Sequence, residues 1–412
     1  MARVPSDRIL ASVDVGTTKI CVLIAQQLDN QRVEIIGVGK SPSNGLSRGV
    51  VVDISKTVHS ILSAIKEAEM MAGISIESAS IGVSGAHISS LNSHGVVPIR
   101  RNEVGPQDIS NVLAAARAII VPEGQQILHV LPQYFTIDGR ERVHDPAGMA
   151  GVRLEVQAHI ILGAIASVQN LVKCCQNAGI GVEDIVLEQL ASADAVLSND
   201  ERTLGVGVLD IGGGTSDFAV YQNGAIRYTR VLPVAGNHFT NDLAIGLRTT
   251  LASAEKVKKE HGTVANHATD YNVRPIDINC VQGTLQQTVY TEDLLKILRP
   301  RAVELLDMVH DEIANNYLNS FITVGLVLTG GGSLLDGMSQ LAGEILQMPT
   351  RVGNPHVEFS LPATLNNPIY ATGYGLLIHA LNKRRDKRIS SLNGPLAKRI
   401  LNQMKLWVMD FF

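Results

Sequence analysis

The sequence predicts an α/β protein of two duplicated lobes, with an α+β insert in the first lobe and an amphipathic helix at the C-terminal end. Three observations carry this expectation. One short plan is written twice, around Asp14 and again around Asp210. The grain of the chain changes over residues 84–161, where short strands flank a single helix. The final stretch, 396–412, gathers most of its apolar side chains on one side of a helix.

The first copy of the plan reads ILASVDVGTTKICVLIAQQ between Arg8 and Leu28, the second GVGVLDIGGGTSDFAVYQN between Leu204 and Gly224. Each is an apolar run ending in Asp-x-Gly (Asp14-Val15-Gly16; Asp210-Ile211-Gly212), a tight turn of small residues, and a second apolar run. A polar turn (Asp29-Asn30; Gln222-Asn223-Gly224) and a third run follow. Such β-branched runs bounded by Gly and Asn turns are β-hairpins. Two hairpins facing each other would place two carboxylates and two sets of turn N–H groups around one cleft. Mg²⁺ takes a few carboxylates together with retained water and phosphate oxygens, and clustered turn amides suit phosphate. A magnesium–nucleotide phosphate tail fits that description.

The remaining elements follow in order. Residues 55–71, with Val58, Ile61, Leu62, Ile65, Ala68 and Met71 recurring at helical spacing, predict an amphipathic helix that Gly73 stops; 78–83 is a strand. In the insert, strands at 95–99, 126–134 and 152–161 flank a helix at 106–119. The α/β grain then returns with a helix at 166–178, a strand at 181–187 and a helix at 190–199, before the second hairpin. Residues 239–262 read as helical and end in the charged run from Glu255 to Glu260; 263–287 is turn-rich with short extended pieces. A long helix covers 291–318, and a buried strand at 322–328 runs into Thr329-Gly330-Gly331-Gly332-Ser333 with a helix from about 334. The last globular helix spans 370–382. A basic run, Lys383 to Arg388 with one Asp386, then leads into Ser, Asn, Gly and Pro and reads as a linker.

Composition narrows the function classes. A chain of 412 residues has room for more than one core, and 45% apolar with 18% charged residues is the balance of a soluble globular protein. The net charge of −4 argues against wrapping nucleic acid over the whole surface, so no nucleic-acid partner is expected. Cys21, Cys174, Cys175 and Cys280 show no metal-ligand spacing and read as buried free thiols of a reducing cytoplasm. No apolar run is long enough to span a bilayer.

Each glycine triplet alone is a weak signal, since glycine serves tight turns everywhere; two Asp-x-Gly hairpins followed by a strand–Gly-Gly-Gly–helix is a constellation. VDVGTTKI and LDIGGGTSDFAV resemble the two phosphate motifs of the actin/heat-shock-70/hexokinase ATPase superfamily, whose fold is actin-like (ribonuclease H-like), and LTGGGSLLDG resembles its adenosine motif. Within that superfamily the chain is similar to the FtsA family of bacterial cell-division proteins. The segments IIGVG (35–39), SGAHISSLNSHGVVPI (84–99), ILHVLPQYFTIDG (127–139) and ASADAVL (191–197) carry the likeness, which runs from about Arg8 to the end.

The resemblance implies ATP and Mg²⁺ as cofactors, with Asp14 and Asp210 holding the metal through water. It implies that Gly16, Thr17, Thr18 and Lys19 cradle the β- and γ-phosphates, with Gly212, Gly213, Gly214 and Thr215 closing from the other side. Gly330, Gly331 and Gly332 would pass under the ribose and α-phosphate, while Glu255, Lys258 and Lys259 flank adenosine. Read without the resemblance, Lys258 and Lys259 could also be face charges in an i,i+4 network, with the adenosine role favoured. Glu188 and Asp210 would be the catalytic carboxylates, Glu188 near the hydrolytic water; on its own Glu188 is equally a solvated helix-start carboxylate. Gln189 replaces a proline frequent in relatives, with little effect expected, and Ala235-Gly236 replaces Gly-Gly.

The family division implies subdomain 1A over 1–83 and 162–203, 1C over 84–161, 2A over 204–235 and 301–382, and 2B over 236–300, then a basic flexible linker at 383–395 and the terminal helix at 396–412. Subdomain 1C would serve self-contact and recruitment of other division proteins; 2B would dock the C-terminal peptide of the tubulin-like FtsZ. On a helix, Leu396, Trp407, Ile400, Phe411, Met404, Val408, Leu401 and Phe412 fall within about 160° of arc. With the basic run upstream, this describes an interfacial membrane helix for anionic lipids. The expected protein is an ATP-binding polymer with weak or no ATPase activity, peripheral on the cytoplasmic side of the inner membrane at the division septum, tethering the FtsZ ring. The alternative is a small-molecule kinase or phosphatase of the same fold, which needs a general base beside an acceptor pocket that the sequence does not display.

Overall fold

In the computed structural model, residues 8–28, 33–140, 142–265, 275–280, 286–355, 359–360 and 365–392 are described. The first meander is β1 (Ile9–Val15), β2 (Lys19–Gln27) and β3 (Val33–Pro42), followed by the small hairpin β4 (Leu46–Ser47) and β5 (Val50–Val51), α1 (Ile54–Ala72) and β6 (Ser78–Val83). Asp53 caps α1 by accepting from Lys56 N at 3.0 Å, and Gly73, with φ 69°, ends it by donating to Glu69 O. The chain leaves into the insert, β7 (Ser89–Pro98), α2 (Pro106–Arg117), β8 (Gln125–Ile137) and β9 (Arg153–Ala164). It returns through α3 (Ile165–Asn177), β10 (Gly181–Leu187), α4 (Glu188–Val196) and α5 (Asn199–Leu204).

The second lobe repeats the opening with β11 (Val206–Ile211), β12 (Ser216–Gln222) and β13 (Ala225–Leu232). Next come α6 (Gly236–Gly246), α7 (Leu251–His261), β14 (Pro275–Asn279), β15 (Gln286–Tyr290) and α8 (Thr291–Asn315). After β16 (Gly325–Thr329) come α9 (Met338–Leu346), β17 (Thr350–Val352), β18 (Phe359–Ser360) and α10 (Ala371–Leu392). The strand orders are β10-β6-β1-β2-β3-β18 in the first lobe and β13-β12-β11-β16-β17 in the second, with β7-β9-β8 in the insert. Strands β1, β2, β11 and β12 are buried at almost every position because both faces of each sheet are covered. Helices α1 and α3 cover the outer face of the first sheet, and α6–α9 that of the second. Between the sheets lie α4 and α10, whose Ala193, Val196, Tyr374 and Leu377 pack with Leu23 of one lobe and Val208 of the other.

Several boundaries differ from the sequence reading. The helix read over 239–262 is two: Arg248 takes φ 49°, and Thr250 starts α7 by accepting from Ser253 N at 3.2 Å. The helix read over 190–199 ends at Val196, and the capping box Ser198-x-x-Glu201 opens α5. The insert's first strand begins at Ser89 rather than at 95. A 3-10 turn, Gly331–Leu334, intervenes, and α9 starts at Met338 instead of near 334. The last helix continues past 382, through the basic run, to Leu392. Cys21, Cys174 and Cys175 are buried free thiols as expected, while Cys280 is half-buried.

The insert is seated across both lobes. His159 of β9, 1% exposed, bonds Asn92 Oδ1 of β7 at 2.7 Å and Thr229 Oγ1 of β13 at 2.9 Å. Ser90 Oγ donates to Thr229 O, and Gln133 of β8 donates to Arg227 O. Helix α10 is likewise fixed at several points: Ser12 Oγ donates to Gly373 O, Thr372 Oγ1 to Asp210 Oδ2, and His379 and Lys383 meet Asp184 at 3.1 and 2.7 Å.

Candidate functional site: the cleft between the hairpins

The two hairpin turns interlock. Gly16 and Gly212 hold matching places, since a Cβ on either would stand 2.9 Å from a carbonyl of its own turn, Lys19 O and Thr215 O respectively. A Cβ on Gly213 would meet Thr18 Cγ2 at 2.4 Å, and one on Gly214 would meet Thr17 Oγ1 at 2.5 Å. Only glycine lets the second turn approach the first so closely. Gly330 also has no substitute: its φ is +77°, and a Cβ there would reach 2.2 Å from Asp210 Oδ1. The turns and the Gly330–Gly332 loop wall a cavity of about 980 Å³.

That cavity gathers the sequence-derived cleft residues from five separate parts of the chain. Asp14, Gly16, Thr17, Thr18 and Lys19 come from the first hairpin; Asp210, Gly212, Gly213, Gly214 and Thr215 from the second. Glu188 comes from the start of α4, Glu255, Lys258 and Lys259 from α7, and Gly330, Gly331 and Gly332 from the loop after β16. Lys258 and Lys259 also make the helical pairs of the bland reading, at 2.6 and 3.0 Å from Glu255. Lys258 further donates to Gly236 O and Thr240 Oγ1 at 2.9 and 2.8 Å, tying α7 to the start of α6. The terminal-helix residues Leu396, Ile400, Leu401, Met404, Trp407, Val408, Phe411 and Phe412 lie outside the described residues.

The register carries the duplication into chemistry. Asp14 pairs with Cys21 across β1 and β2, and Asp210 pairs with Asp217 across β11 and β12. Asp217 is therefore a cleft carboxylate that the sequence reading passed over, although it stands in the quoted motif GGGTSD. Its Oδ1 accepts from Ser84 Oγ at 2.6 Å and from Gln189 Nε2 at 2.7 Å, which leaves Oδ2 to carry a proton. Gln189, expected to matter little, is one of the two groups that position it.

Electrostatics mark the same centre. Burial, with Asp210 and Asp14 adding to it against the Ser84 bond, raises the Asp217 carboxyl to about 8. Burial and then Asp14 push Asp210 to about 6. Glu188 lines the cleft rather than a solvated helix end, and burial with Asp14, Asp217 and Asp210 raises its carboxyl well above the usual range. Asp14 is also raised by burial, with Lys19 opposing. Burial and mutual repulsion of neighbouring carboxylates thus act together at one place. Among the described residues no three Asp, Glu, His or Cys groups converge at direct metal-ligand spacing.

Comparison with known proteins fixes the relationship. The family model for Cell division protein FtsA matches residues 207–375, and that for the SHS2 domain inserted in FtsA matches 85–162. The chain is 42% identical to Cell division protein FtsA of Pseudomonas aeruginosa, covering 100% of both sequences, and 34% identical to that of Escherichia coli, covering 99% of this chain and 97% of the other. Among solved structures, the PilM–PilN type IV pilus biogenesis complex gives a TM-score of 0.67 at 17% identity, over 90% of this chain and 98% of that one. MreB5 of Spiroplasma citri bound to ADP gives 0.56 at 16%, over 93% and 99%. These structural likenesses establish the actin-like ATPase fold and nothing narrower, while the inserted SHS2 domain rests on its own family model. Full-length similarity to the division proteins goes further: the chain belongs to the FtsA family of cell-division proteins.

Proposed function

We propose that the chain binds ATP with Mg²⁺ between its two hairpins and assembles, in that state, into an actin-like polymer on the cytoplasmic face of the inner membrane. The single observation that carries the nucleotide part is the interlocked pair of glycine turns over a cavity lined by buried, mutually repelling acids. Turn N–H groups of 16–19 and 212–215 suit phosphate oxygens. Asp14 and Asp210, two carboxylates lining one cavity, suit a metal held through its water. Bound Mg²⁺ would neutralise phosphate charge; Glu188, with its raised carboxyl, and Asp210 are the groups placed to handle a proton in slow hydrolysis. Glu255, Lys258 and Lys259 are the groups for adenosine.

In the same reading, residues 236–300 dock the C-terminal peptide of FtsZ, the insert serves self-association and other division proteins, and residues 396–412 bind anionic lipids. Family membership supports the first two roles; the arc of apolar residues with its basic run supports the third. Among the described residues no helix is long and apolar enough to cross a membrane. Electron microscopy of the protein with Mg²⁺–ATP on anionic lipid monolayers, with and without residues 396–412, tests the whole reading. Lipid-bound filaments that need both nucleotide and tail are expected; a truncated chain that still decorates the monolayer refutes the anchor.

A further inference from the structure

The cleft holds one cation that neither the hairpin motifs nor the adenosine group accounts for. Lys40, exposed at the end of β3, lines the same cavity as Lys19. Its ammonium stands 4.8 Å from the centre of the Tyr370 ring, and that of Lys19 stands 4.9 Å from the same centre. The sheet register explains the meeting. Asp14 pairs with Cys21 and Cys21 with Lys40, so the three lie in a row on one face, with Lys19 diagonal to Lys40. Lys19 is partly spent, since its Nζ donates to Ile369 O at 2.5 Å. Among the described residues neither ammonium has a carboxylate within ion-pair distance. Two like charges against one aromatic ring, both lining the cleft, suit an anion larger than either alone would hold.

We propose that Lys40 is a second phosphate-facing cation which, paired with Lys19 across Tyr370, makes the cleft discriminate a nucleoside triphosphate from a diphosphate. The inference rests on the nucleotide reading given above and deepens it. Lys19 sits in the turn of the first hairpin and serves phosphate of either nucleotide. Lys40 enters from the neighbouring strand at the cleft mouth and meets only the additional charge of the longer tail. Tyr370 is the rest on which both side chains wait: the residue is 3% exposed, in the short turn that leads into α10. The position that senses the third phosphate is thereby joined to the helix whose Thr372 holds Asp210.

The test is isothermal titration of the full chain with ADP and with a non-hydrolysable ATP analogue, each with Mg²⁺. Lys40→Met is expected to weaken the triphosphate analogue about tenfold while leaving ADP within about twofold. Lys40→Arg should restore the preference, and Lys19→Met should weaken both nucleotides. Equal losses for both nucleotides in Lys40→Met, or no loss for either, overturn the role of Lys40 while leaving nucleotide binding intact. A wild-type chain that binds neither nucleotide overturns the nucleotide reading itself, and this inference with it.

Discussion

Asp217→Asn isolates the electrostatic character of the cleft. The carboxyl is raised from 3.8 to about 8 in the folded chain. Folding therefore takes up a proton between those values: the group's contribution is fully present below its unfolded pKa and is lost as pH rises through about 8. At about 1.4 kcal/mol per unit, an isolated group would forfeit about 6 kcal/mol across that window. Asp14, Asp210 and Glu188 share the same field and relax when one member is neutralised, so replacing Asp217 alone should recover about 2–3 kcal/mol at pH 8.5 and less than about 1 kcal/mol near pH 5. Asparagine keeps one oxygen for Ser84 and Gln189, which both donate to the same Oδ1. Urea denaturation followed by far-ultraviolet circular dichroism suits the measurement, because the single tryptophan, Trp407, belongs to the terminal segment. The wild-type chain should lose stability from pH 5.5 to 8.5 without nucleotide, and the variant should lose much less. Parallel slopes for the two proteins would refute the reasoning.

Two further substitutions probe the frame. Gly214→Ala places a methyl group 2.5 Å from Thr17 Oγ1 and must part the hairpin turns; nucleotide affinity should fall more than about tenfold with secondary structure retained, as read by titration and circular dichroism. His159→Leu leaves Asn92 and Thr229 without their shared partner, which should cost about 2–4 kcal/mol and raise hydrogen exchange in β7, β9 and β13 together. In the unsubstituted chain that contact should weaken as pH falls from about 6.5 towards 4, because burial lowers the His159 pKa to about 4 and the folded imidazole resists the proton that the unfolded one accepts. Exchange that rises in the insert but not in β13 would break the proposed tie.

The hairpins were legible because two independent signals coincide in them: apolar runs bounded by turn residues, and an Asp-x-Gly at each turn. Asp217 was not, since within an apolar strand a single acid carries no periodicity; only pairing with Asp210 places it in the cleft. The starts of α5 and α7 were legible in principle through Ser198-x-x-Glu201 and Thr250, but apolar spacing runs smoothly across both breaks and hides them. The docking of the insert on β13 depends on Asn92, Gln133, His159 and Thr229 meeting across long stretches of chain. Each of these residues reads alone as a solvated polar group. The basic run after 382 looks like a linker by charge, yet arginine and lysine are good helix formers and α10 simply continues through them.

Helix α10 has 22 residues, a shaft of about 33 Å. Its first turn grips both halves of the molecule, through Gly373 to Ser12 and Thr372 to Asp210, and its fourth turn is pinned to β10 by Asp184. Burial works against that carboxylate, but hydrogen bonds from His379 and Lys383 hold it down to about 2. The pin thus stays charged throughout the physiological range. Ties to β1 and β10 make the helix a rigid part of the first half, so a tilt between the halves loads the tie from Thr372 to Asp210.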